Sequence, residues 1–157
     1  MQPHVDGLGR HGVTAHAVGL PVRRAEDALA AYRAAVPDLP NSIIGGHSYG
    51  GRVASLLAAE QPPAGLVLLS YPLHRPGKQD ELRTAHWPRI SCPVLLLSGE
   101  ADPFARVDLL REAVRLLPSA ELVTYPGLRH GMGARLDDAL DRIAEFVGRL
   151  DATRARP

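Results

Sequence analysis

Two uninterrupted apolar runs constrain this chain most: residues 65–70 (GLVLLS) and 93–99 (PVLLLSG). A strand with one wet face alternates apolar and polar residues. A strand covered on both faces need not, and such strands belong to parallel sheets flanked by helices. Three further segments have strand composition: 13–18 (VTAHAV), 42–45 (SIIG) and 121–125 (ELVTY). Helical patterns lie between them. Over 24–36, Ala28, Leu29, Tyr32, Ala35 and Val36 share one face, and Pro37 and Pro40 stop the helix. Residues 49–60 and 106–117 are amphipathic, and 137–150 places Leu140, Ile143, Phe146, Val147 and Leu150 on one side. Alternation of this kind predicts a single α/β domain over residues 1–157, a parallel sheet of about five strands with helices on both faces. The polar tail 151–157 (DATRARP) reads as disordered.

Composition removes several function classes. Lys plus Arg number 18 and Asp plus Glu 17, a formal charge of +1, so no basic excess points to nucleic acid or an anionic membrane surface. Cys92 is the only cysteine, sits at the start of an apolar run and reads as a small buried hydrophobe. The first twelve residues lack the pattern of a signal peptide, and no run approaches the ~18 apolar residues of a membrane span. Together these predict a cytoplasmic protein. Aromatic content is 4%, too little to suggest a stacking platform for a nucleotide or sugar, and no metal or cofactor is implied.

In parallel sheets, ligands bind at the carboxyl ends of the strands, so the loops leaving the strands carry the chemistry. After the 42–45 strand comes Gly46-His47-Ser48-Tyr49-Gly50-Gly51, a G-x-S-x-G turn between a strand and a helix. Such a turn forces the serine into a strained conformation, with small residues two before and two after it. The hydroxyl then stands at a helix N-terminus, where the Tyr49 N–H faces developing negative charge. After 93–99 comes Glu100-Ala101-Asp102-Pro103, where an acid could orient a histidine; Asp102 is the candidate and Glu100 the competing acid. After 121–125 comes Gly127-Leu128-Arg129-His130-Gly131, and His130 can act as general base toward Ser48 and then as general acid toward a leaving group. The order Ser48, Asp102, His130 is the order expected when these groups share one sheet edge. His47, Tyr71 and His74 are the candidates to line the substrate site; Trp87 reads as a packing residue.

These motifs carry a resemblance. GGHSYGGRVAS at 45–55, SYPLHRPGKQDELRTAHWPRI at 70–90, PVLLLSGEADPF at 93–104 and LRHGM at 128–132 resemble α/β-hydrolases, and among them the small dienelactone-hydrolase-like group. The likeness runs from about residue 10 to the end, and the YPLHRPGK stretch is its most group-specific part. It implies Ser48 as nucleophile, Asp102 as acid and His130 as base, acting on a small acyl substrate. Dienelactone hydrolases proper use cysteine where this chain has Ser48.

The chain departs from the family in one respect. α/β-Hydrolases usually begin with more sheet, and a His-Gly-rich loop after an early strand gives a second oxyanion donor. Here residues 1–12 read as the remnant of the helix after that loop, and the additional strand would lie between 13–18 and 42–45. Losing one such donor typically costs on the order of 10²–10³ in rate. Two readings therefore compete with a serine hydrolase cleaving an ester: a hydrolase-fold interaction module without catalysis, and an acyltransferase.

Overall fold

The two apolar runs do become the centre of a parallel sheet. The structure, a computed structural model, describes residues 2–155. Among them are four strands, β1 (Ile43–His47), β2 (Gly65–Leu69), β3 (Val94–Gly99) and β4 (Ala120–Tyr125), parallel and in the order β1-β2-β3-β4. Every residue of β2 and β3 is buried. The period of two divides their side chains between two cores. Leu66, Leu68, Val94 and Leu96 face one core, while Val67, Leu69, Leu95 and Leu97 face the other. Helices α2 (Leu29–Ala35), α3 (Tyr49–Glu60) and α4 (Val107–Ala113) cover the first core with Tyr32, Leu57 and Leu110. Helix α5 (Leu136–Arg154) covers the second with Ala139, Ile143 and Phe146, and α1 (Gln2–Arg10) lies against it. The α1–α5 contact is close: a Cβ on Gly7 would overlap the side chain of Leu140. Truncating any of these buried leucines to Ala should cost about 2–5 kcal/mol.

Cys92 is buried, and burial raises its thiol pKa to about 11, as for a small core residue. The 24–36 helix is shorter than its pattern: Ala25–Ala28 form a 3-10 turn before α2. Likewise α4 ends at Ala113 and passes into a 3-10 turn, Val114–Leu116. The tail is more ordered than its composition predicts, since α5 continues through Arg154, where Arg154 donates to the Asn41 carbonyl at 3.3 Å; residues 156–157 of that tail lie outside the described residues.

The fifth strand does not form. Residues 13–20 run without a ladder, leaving β1 at the edge of the sheet. The reason lies at Gly45. The Tyr32 hydroxyl donates to the Gly45 carbonyl at 2.6 Å and accepts from the Gly45 N–H at 3.1 Å, so one side chain occupies both groups that a neighbouring strand would use. A cavity of about 520 Å³ separates Val13–Val18 from this edge, with Val13, His16 and Val18 on one wall and Ile43, Ile44 and Gly45 on another.

Candidate active site

Because all four strands run the same way, their four exit turns meet at one rim. The first is the β1–α3 turn. Ser48 has φ 50° and ψ −114°, a region L-residues rarely adopt, and its N–H still donates to Leu69 O at 2.8 Å. The turn closes because β1 and α3 approach backbone to backbone: a Cβ on Gly46 would lie 2.5 Å from the Gly50 carbonyl carbon, and one on Gly51 2.7 Å from Gly46 O. A Cβ on Gly50 would meet open space, so the closeness resides in Gly46 and Gly51 rather than in both ends of the G-x-S-x-G pattern. Tyr49 opens α3, so its N–H is among those that have no partner within the helix.

The second and third turns, after β3 and β4, hold each other. The Ala101 N–H donates to Leu128 O at 2.9 Å and Glu100 N–H to Tyr125 O at 3.0 Å. Gly99 permits the approach, since a Cβ there would overlap the carbonyl oxygens of Leu128 and Arg129. Asp102 is buried, and its Oδ1 accepts from the Phe104 N–H at 2.8 Å. Its Oδ2 lies 2.8 Å from His130 Nδ1, and His130 Nε2 lies 2.8 Å from Ser48 Oγ. An ionised carboxylate only accepts, so Nδ1 carries the proton and Nε2 accepts from the serine hydroxyl. The His130 ring sits between Phe104, with ring centres 4.6 Å apart, and His47, at 5.3 Å. Burial, and then the neighbouring His130, lower the His47 pKa, which favours a neutral ring beside His130. Asp102, His130 and Ser48 thus form an unbroken carboxylate–imidazole–hydroxyl line, able to draw a proton from an alcohol and return it.

The fourth turn follows β2. Ser70 is also at positive φ, 45°, and its buried Oγ accepts from the Gly131 N–H at 3.2 Å. It therefore anchors the residue next to His130.

Two expected lining residues turn inward instead. The Tyr71 hydroxyl donates to Arg83 O at 2.7 Å and its ring packs on buried Trp87. His74 donates from Nδ1 to Arg75 O at 2.9 Å and accepts the Arg106 N–H on Nε2 at 3.0 Å. Both are fully buried and fix the 71–91 stretch, because a long irregular segment must satisfy its backbone groups somewhere. Neither touches the cavity at Ser48, and neither does His47. That cavity, of about 760 Å³, is walled by Ser48, Tyr49 and Phe104 and by arginines 23, 24, 52, 75 and 83, which the sequence does not single out. Among the described residues no His, Cys, Asp or Glu cluster could hold a metal ion, and no helix is long and apolar enough to cross a membrane.

A parallel sheet presenting these groups at its carboxyl rim defines an α/β-hydrolase fold. The chain belongs to the alpha/beta hydrolase domain family, whose model matches residues 20–147. Solved structures share the fold at low identity. A monoacylglycerol lipase from Paleococcus ferrophilus superposes with a TM-score of 0.73 at 14% identity, covering 94% of this chain and 88% of its own. An alpha-beta serine hydrolase homologue from Coxiella burnetii gives 0.71 at 16%, covering 92% and 76%. A predicted CIB-like hydrolase from Thermoplasma acidophilum gives 0.64 at 16%, covering 86% of this chain; the chain spans only 65% of that protein's length.

Proposed function

We propose that the chain is a serine hydrolase that cleaves an ester or related acyl bond, of the small dienelactone-hydrolase-like kind. The observation that carries this reading is the 2.8 Å approach of His130 Nε2 to Ser48 Oγ, with Asp102 at 2.8 Å on the far side of the same ring. Ser48 Oγ attacks the acyl carbon as its proton passes to Nε2. Asp102 fixes the tautomer and stabilises the imidazolium. The Tyr49 N–H, at the positive end of α3, takes the developing oxyanion. His130 returns its proton to the leaving alkoxide. It then takes one from water, whose oxygen attacks the acyl-serine, and collapse of this second intermediate frees the acid as Nε2 returns that proton to Ser48 Oγ.

Rapid mixing with p-nitrophenyl acetate tests it. The reading expects a burst of p-nitrophenol of about one equivalent or steady turnover, lost in Ser48→Ala and His130→Gln. A folded wild-type protein showing neither would overturn it and leave the interaction module. Acyl transfer to added alcohol in preference to water would make the protein a transferase.

A further inference from the structure

The chain as a whole is almost neutral, 18 basic against 17 acidic side chains, yet the wall beside Ser48 is not. Its charged residues are five arginines and two glutamates. Both glutamates are already neutralised: Glu26 pairs with Arg52 at 2.9 Å and with Arg24 at 3.9 Å, Glu81 with Arg75 at 2.5 Å and with Lys78 at 3.6 Å. Arg83 is one of two cations left over. It is half-buried, has no carboxylate partner among the described residues, and its guanidinium reaches only the Pro72 carbonyl, at 3.4 Å. Burial, and then repulsion from Arg52 and Arg75, push its pKa down, so the folded chain holds this charge at a cost. Arg23 likewise has no carboxylate partner among the described residues. Tyr49 keeps that part of the wall beside the serine, because its hydroxyl donates to Pro21 O at 2.9 Å.

We propose that the cavity at Ser48 selects esters that carry a second, anionic group, a carboxylate or a phosphate, held by Arg83 with Arg23 while the acyl carbon meets Ser48. The inference rests on the hydrolase reading for what happens to the ester, but not for its binding. A guanidinium presents its N–H groups as a fork that matches either anion with two parallel bonds. A concave patch of one sign also raises the local concentration of the opposite one. The volume of about 760 Å³ suits a small molecule rather than a polymer. Phe104 and Leu82 in the same wall offer apolar contact to the carbon skeleton between the two ends.

The test uses Ser48→Ala, so that binding is read without turnover. Calorimetric titration compares monophenyl succinate with its uncharged isostere, phenyl 4-oxopentanoate. The proposal expects at least tenfold tighter binding of the anion, a preference that shrinks between 50 and 500 mM NaCl and falls to about threefold or less when Arg83→Gln is added. Phenyl phosphoglycolate is the second arm, and the tighter of the two anionic esters names the preferred group. A circular dichroism melt confirms that each variant is folded; Arg23→Gln, on the exposed side of the wall, repeats the measurement should Arg83→Gln not fold. Equal affinity for the charged and uncharged esters would overturn the proposal even if the wild type hydrolyses both. A strong anionic preference with no turnover by the wild type would overturn the hydrolase reading alone.

Discussion

The turns that leave β1 and β2 share two backbone features. Each places a serine at positive φ, 50° for Ser48 and 45° for Ser70, and each serine N–H extends the ladder by donating to the next strand, to Leu69 O and Leu97 O, both at 2.8 Å. The surroundings then separate them. Ser70 is fully buried and its hydroxyl accepts from Gly131, whereas Ser48 opens on the cavity and its hydroxyl faces His130 Nε2. Strain at a strand end therefore does not distinguish the two serines. An imidazole within reach and an open wall do, and Ser70 anchors the loop that carries that imidazole.

The comparison breaks most directly through activity. Ser48→Ala should lower kcat for a p-nitrophenyl ester by about 10⁴-fold or more. Ser70→Ala removes one hydrogen bond to the His130 loop, worth about 1 kcal/mol, and should lower kcat only on the order of tenfold. Equal losses from the two variants would erase the distinction.

A second difference lies behind the turns. The β1 turn depends on α3, and α3 is tied through Ser55, whose Oγ lies 2.8 Å from buried His86 Nε2. Burial, and then Arg52 and Arg89, lower the His86 pKa from 6.5 to about 4. Between these values the unfolded chain takes up a proton that the folded chain refuses, so stability is lost as pH falls through that window. At about 1.4 kcal/mol per pH unit the loss amounts to at most about 3 kcal/mol. Urea denaturation at a series of pH values should show this slope in the wild type and a flatter one in His86→Gln.

The smallest effect separates the two strains. Ser48→Gly should raise stability by about 1 kcal/mol, since glycine adopts that φ without penalty and no bond essential to the fold is lost. Ser70→Gly gains the same relief but leaves the Gly131 N–H without its partner, so its melting temperature should not rise.

The sequence shows some of this and hides the rest for physical reasons. β2 and β3 are legible because residues 65–69 and 94–99 are apolar on both faces, a pattern few other structures tolerate. Ser48, Asp102 and His130 are legible because each sits in a turn with glycine or proline chemistry after a strand. The 13–18 segment misleads, since its composition suits a strand but cannot reveal that the Tyr32 hydroxyl holds both edge groups of Gly45. Tyr71 and His74 mislead because polar side chains in a long loop look available, when they are used up on Arg83 O and the Arg106 N–H. The arginine wall is invisible, as residues 23, 24, 52, 75 and 83 each read as ordinary surface charge until the fold gathers them.

Reaction with a fluorophosphonate, followed by peptide mapping, tests the central claim most directly. The account predicts one adduct, on the peptide bearing Ser48, absent in His130→Gln and present in Ser70→Ala. An adduct on Ser70, or labelling of Ser48 that persists without the His130 imidazole, would contradict it.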